Sequence, residues 1–349
     1  MPLANRLRSS FARNGWLYFA LAVFLVGTIV AGSADIGVAG TERGIAAATD
    51  SPPQGAAILS LFMAGPISFA LLVFGILLWH SHKQGQLTPA TIVALGTLFT
   101  GFIDPLANWA TFAILNPEIP HFPLSWPWFN LAPLIEPVAA FLGGYSAYYM
   151  LIGLGSYWLA GRFLGSPHAP RWTRQKPFIA MFGAAFVVSL PFNLAFQLAW
   201  MEYDVLVYTQ CFGPVLRVGN HQYPLLIALY DPFIYATIAT LCLPDSQGRS
   251  RALVVLTEKL PSVRHENRSA ASRQIAVAVV LVWLSILTPI SFFAGVRLAG
   301  WANTPVYDTF PFPSAKIYDP YGDLERAGKA GPFYPRAINN PGLNAMTDN

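Results

Sequence analysis

Seven stretches of this chain run for about 20 residues each with almost no charge, the length a helix needs to cross a hydrocarbon core about 30 Å thick. They lie at roughly 16–34, 56–79, 89–115, 131–160, 178–201, 224–243 and 274–300. Composition agrees, with 54% hydrophobic and 11% charged residues against about 25% charged in a soluble domain. The expected fold is all-α: a polytopic membrane helix bundle of about seven transmembrane helices. The first run follows Arg6, Arg8 and Arg13 and ends in "AGSA", so it resembles a signal peptide. A retained span is the preferred reading, because no mature domain needs exporting ahead of it.

Lys and Arg collect on the cytoplasmic side of membrane proteins. With the N-terminus inside, fourteen of the 21 basic residues fall in internal segments: Arg6, Arg8, Arg13, Lys83, Arg162, Arg171, Arg174, Lys176, Arg249, Arg251, Lys259, Arg264, Arg268 and Arg273. The outer loops hold only Arg43 and Arg217. This sorting predicts the N-terminus inside and the C-terminus outside: a cytoplasmic segment 1–15, a bundle over 16–300, and an extracytoplasmic tail over 301–349. It also removes any reason to read the net charge of +4 as nucleic-acid binding. The tail is rich in Pro, Gly and Tyr, and its aromatic content favours partial docking on the outer face. Cys211 and Cys242 fall on opposite sides of this topology, which argues against a disulfide, and no Cys/His spacing suits a metal.

Within this apolar frame, three acids each precede a proline: Asp104-Pro105, Glu136-Pro137 and Asp231-Pro232. At 1.5 Å per residue, Asp104 stands about 22 Å up the third run from Pro89, and Asn193 about 24 Å up the fifth from Pro177. Asp231 is about 10 Å below the outer start of the sixth, and Glu136 is near the outer start of the fourth. Four spans thus place polar groups at one level near the outer leaflet. Asp104 with Asn108, Asn193 with Gln197, and Asp231 with Tyr235 are spaced i, i+4, so each pair shares a helix face. A carboxylate facing lipid is penalised, so these faces must turn inward. Glu202 and Asp204 follow span five, where they can rim the same space. Proline removes a backbone N–H and disrupts the turn before it, which predicts kinks in spans three and six; in span four it can lie harmlessly in the first turn.

Any one buried amide or acid is as simply read as a staple between helices. Three acid–proline pairs at one depth favour a functional cavity. Gly143 and Gly144 are read as permitting close helix contact, and Tyr145, Tyr148, Tyr149 and Tyr157 as packing that can also offer hydroxyls.

The stretches "GFIDPLANWATF", "APLIEPVAAFLGGYSAYY" and "LYDPFIYATI" resemble the AveC-like spirocyclase family of actinobacterial membrane proteins, over roughly 55 to 320. The resemblance implies cyclisation of a lipophilic hydroxy-ketone to a spiroketal without a cofactor. On this reading Asp104, Glu136 and Asp231 are the catalytic acids, and Asn108, Asn193, Gln197, Tyr235 and Glu202 contact substrate. The expected partners are a lipophilic small molecule and membrane lipids, not nucleic acid. The rival reading is a proton-coupled transporter or lipid-binding membrane protein using the same acids.

Overall fold

The structure, a computed structural model, describes residues 53–98, 100–115, 144–203, 205–219, 221–259, 270–308, 317, 319 and 321–333. The first apolar run, the loop 116–130, Glu136, Pro137, Gly143 and Asp204 lie outside the described residues.

The described chain is mainly helical. Helix α1 (Pro53–Gln84) turns back into α2 (Pro89–Thr97) through Gly85, which takes φ 65°. Thr88 caps α2 by accepting from the Thr91 amide, and Pro89 occupies the first turn, where its missing N–H costs nothing. A 3-10 turn (Thr100–Phe102) leads to α3 (Asp104–Thr111). The chain then passes through Phe112, at φ 60°, into the short strand β1 (Ala113–Leu115). Helix α4 (Tyr145–Leu164), the short α5 (Arg171–Gln175) and the long α6 (Pro177–Glu202) follow. Strand β2 (Leu206–Tyr208) pairs antiparallel with β1, and β3 (Val215–Val218) pairs with β4 (His221–Pro224). A 3-10 turn (Ile227–Leu229) opens α7 (Tyr230–Leu241); α8 (Arg251–Lys259), α9 (Ala270–Leu298) and the one-turn α10 (Asp323–Arg326) complete the order.

Two described helices, α6 and α9, are long and apolar enough to cross a membrane. Large apolar side chains project outward from four helices: Leu71, Leu72 and Ile76 on α1, Leu151 and Trp158 on α4, Val187 and Phe192 on α6, Val280, Leu284 and Phe292 on α9.

Residues 89–115, expected as one span, form two helices, a 3-10 turn and a strand. The reason is local. The hydroxyls of Thr97 and Thr100 fold back onto the carbonyls of Ala94 and Thr97, both at 2.8 Å, and Pro105 has no N–H for the carbonyl of Gly101. The helix therefore ends and restarts at Asp104. Helix α7 likewise starts at Tyr230, after β4 and a 3-10 turn, so Asp104-Pro105 and Asp231-Pro232 mark helix starts rather than kinks inside long spans. Pro191 lies inside α6 and Pro289 inside α9.

Helices α4, α6 and α7 pack against one another at the centre, while α9 lies along α2, α3 and α7. Helix α4 meets α7 closely at Gly153, where an added Cβ would stand 2.6 Å from Ile238 Cγ2. Gly153 thus permits a tight contact between α4 and α7. Gly153→Leu is expected to cost about 1–3 kcal/mol by overpacking. It should lower the thermal midpoint of the purified protein, and Ile238→Ala in the same chain should restore part of the loss.

The tail docks in part, as its aromatic content suggested. The Asn303 amide donates to the Cys211 carbonyl and the Tyr307 amide to the Thr209 carbonyl, both at 2.9 Å. The Tyr321 hydroxyl donates to the Ala113 carbonyl at 3.0 Å, and Leu324 is fully buried. Cys211 and Cys242 are both buried free thiols.

Candidate functional site

Because α3 begins at Asp104, its first turn presents that carboxylate inward. One turn on, Asn108 Nδ2 donates to Asp104 Oδ2 at 2.7 Å. The Tyr145 hydroxyl, at the start of α4, donates to the same oxygen at 2.7 Å. Asp104 is thus held by an amide from its own helix and a phenol from another.

Asp231 occupies the equivalent place in the first turn of α7 and is buried. Its Oδ2 accepts from Gln197 Nε2 of α6 at 3.0 Å, and Gln197 Oε1 accepts from the Tyr208 hydroxyl of β2 at 3.3 Å. The amide of Gln197 therefore carries a directed chain from a phenol to a carboxyl group.

Both carboxyl groups face one cavity of about 360 Å³. Its polar lining comes from Asp104, Asn108, Thr111, Tyr145, Tyr148, Tyr149, Gln197, Tyr208, Tyr230 and Asp231. The remainder is apolar or small: Gly65 and Phe69 of α1, Ala107, Leu115, Gly144, Leu151, Phe196, Trp200, Leu206 and Ile227. The Tyr148 ring stacks on Phe196 with centroids 4.4 Å apart, and Phe196 leans on Trp200 at 4.9 Å. A few polar groups converging in an apolar hollow are the usual build of a small-molecule site.

Of the residues expected to act, Asp104, Asn108, Gln197 and Asp231 line this cavity together. Asn193 is fully buried behind it, accepting from the Tyr148 hydroxyl at 3.4 Å and donating to the Ala228 carbonyl at 3.2 Å. Tyr235 is fully buried too, its ring edge-on to Tyr148 at 5.8 Å. Glu202 is exposed at the end of α6, away from the lining. Among the described residues no three His, Cys, Asp or Glu side chains stand close enough to share a metal ion. Tyr208, Tyr230, Phe196 and Trp200 were not singled out from the sequence. Tyr208 comes from the three-residue strand β2, which pairs with β1, next to the helix that carries Asp104.

Residues 85–318 match the family described as spirocyclase AveC-like. The chain belongs to that family. No curated protein and no solved structure matches it. The region shared with the AveC-like family contains every cavity residue except Gly65 and Phe69, so both carboxyl groups and their partners fall inside it. It ends at 318, before the docked residues 321–326.

Proposed function

We propose that this AveC-like chain is a multi-pass membrane cyclase that closes a lipophilic hydroxy-ketone by acid–base catalysis between Asp104 and Asp231. The observation that carries the reading is their convergence from two separate helices on one largely apolar cavity. Family membership supports cyclisation as the reaction type. The outward apolar side chains of α1, α4, α6 and α9, with the length of α6 and α9, support insertion in the cell membrane. On the sorting of Lys and Arg, the bundle has seven spans over 16–300, a cytoplasmic N-terminus, and a tail on the outside.

The chemistry balances without an oxidant or reductant. One hydroxyl of a dihydroxy-ketone adds to the carbonyl to give a hemiketal. A carboxylic acid protonates the hemiketal hydroxyl, which leaves as water, and an oxocarbenium ion remains. The second hydroxyl attacks that carbon and passes its proton to the carboxylate. The product is a spiroketal plus one water, and the carboxyl pair returns to its starting state. Two carboxyl groups in unlike settings suit such a division of labour, and the tyrosine and amide groups around them can orient the reacting oxygens.

Metabolite profiling of a deletion strain against the complemented strain tests the reading. Accumulation of an open-chain hydroxy-ketone in the deletion strain is the expected result. Redistribution of an unchanged compound across the membrane would replace cyclisation with transport.

A further inference from the structure

The far end of α3 is held by a part of the chain that the catalytic reading does not use. Arg297, in the last turn of α9, donates from Nη1 to the Trp109 carbonyl at 2.6 Å. Its guanidinium lies 5.1, 4.4 and 4.3 Å from the ring centres of Trp109, Phe112 and Tyr321. Its Nη2 reaches Asp323 Oδ2 at 3.3 Å, and both side chains are largely buried. Asp323 is held in turn by Arg326, which also donates to the Tyr321 carbonyl at 2.9 Å. The Tyr321 hydroxyl closes the ring of contacts on the Ala113 carbonyl, at the start of β1.

We propose that Arg297 is a positioning residue for the cavity wall, and that residues 321–326 form a clasp that holds it against the helix presenting Asp104. Helix α3 has eight residues, too few to persist on its own propensity, so contacts at its ends set where it lies. Its C-terminal end is also an unusual piece of backbone. Phe112 adopts φ 60°, a conformation a bulky residue keeps only when its surroundings impose it. The guanidinium supplies that imposition, stacking on the Phe112 ring while its charge meets a carbonyl end of the helix. A shift of α3 moves Asp104 and Asn108 together, and a misplacement of about 1 Å at a reacting group can cost on the order of a hundredfold in rate. Residues 321–326 lie beyond the region matched to the family, whereas Arg297 lies inside it. The link to turnover rests on the proposed cyclisation; the link to α3 does not.

The test uses the full-length protein in lipid nanodiscs and reads backbone hydrogen exchange by mass spectrometry. Arg297→Lys and Asp323→Asn should each raise exchange over residues 107–115 by roughly tenfold, with α6 unchanged. Asp323→Glu, which keeps the charge, should stay within about twofold of wild type. Cys211 is a built-in check on wider loosening. Burial pushes its thiol up to about 12, against a hydrogen bond with Thr304, and its backbone is bonded to Asn303 and Thr304. It should remain unreactive to N-ethylmaleimide in all three variants. In the strain, the two clasp-breaking variants should lower the cyclised-to-open product ratio while Asp323→Glu retains it. Unchanged exchange over 107–115 would overturn the proposal. So would a uniform rise across α6 and α9 with labelling of Cys211, since that reports general destabilisation. The exchange measurement needs no substrate, so it stands apart from a failure of the cyclisation reading, which would appear as full product from Asp104→Asn.

Discussion

Asp104→Asn is expected to reduce cyclised product by a factor of about 10²–10⁴, the usual contribution of a positioned acid or base, with little change in thermal midpoint. The stability half follows from the hydrogen bonds. An asparagine oxygen can accept from Asn108 Nδ2 and the Tyr145 hydroxyl as Asp104 Oδ2 does at 2.7 Å, so both donors keep a partner. The activity half follows because an amide neither delivers nor takes a proton in this reaction. Asp231→Asn should behave likewise, since an amide oxygen still accepts from Gln197. Tyr145→Phe removes one donor and leaves the carboxyl group, so its effect should be smaller, about tenfold in rate. The measurements are product ratio in the complemented strain and thermal midpoint of the purified variant. If both aspartate variants lose the fold, the acids hold helices together and the catalytic reading fails. If both keep the fold and full product, the cavity is not where the chemistry occurs.

How far the site could be read from sequence depended on what kind of signal each residue carried. Acids, amides and prolines inside apolar runs are conspicuous because lipid penalises them, and this singled out Asp104, Asn108, Gln197 and Asp231, which share the cavity. The geometry inferred for them did not all survive. Measuring depth along the third run assumed an unbroken helix from Pro89, whereas the chain breaks between Thr97 and Asp104. Hydropathy has no term for threonine hydroxyls that fold back onto their own helix or for a proline lacking its N–H. Long apolar helices such as α6 and α9 were legible because length and hydropathy alone define them. Tyr208 and the Arg297 clasp were hidden for the opposite reason. Each depends on a contact between distant parts of the chain, β1 with β2 in one case and α9 with the tail in the other. Aromatic residues such as Phe196 and Trp200 are equally at home facing lipid, core or ligand, so their type says little about which they do.

Asn193→Leu should cost stability on the order of 2–4 kcal/mol, a loss of fold where the aspartate variants lose only chemistry. Asn193 stands in the same polar layer yet makes a different kind of contact. Pro232 has no N–H, so the Ala228 carbonyl four residues earlier lacks its ordinary helical partner. Asn193 Nδ2 donates to that carbonyl at 3.2 Å, and its Oδ1 accepts from the Tyr148 hydroxyl at 3.4 Å. Leucine shares the branched arrangement of side-chain heavy atoms but is larger and makes neither hydrogen bond, so both groups lose this partner in a buried setting, at about 1–3 kcal/mol each. This assignment has a sharper consequence than a drop in thermal midpoint. Pro232→Ala returns an N–H at the position that would bond Ala228. In an otherwise unaltered chain that N–H competes with Asn193 and gains little; in the Asn193→Leu chain it fills the vacancy. A double-mutant cycle should therefore give a favourable coupling of about 1 kcal/mol. Strict additivity would mean that Asn193 does not serve the carbonyl freed by the proline. Its role would then lie with Tyr148, on the cavity side, and Tyr148→Phe should reproduce the larger part of the loss.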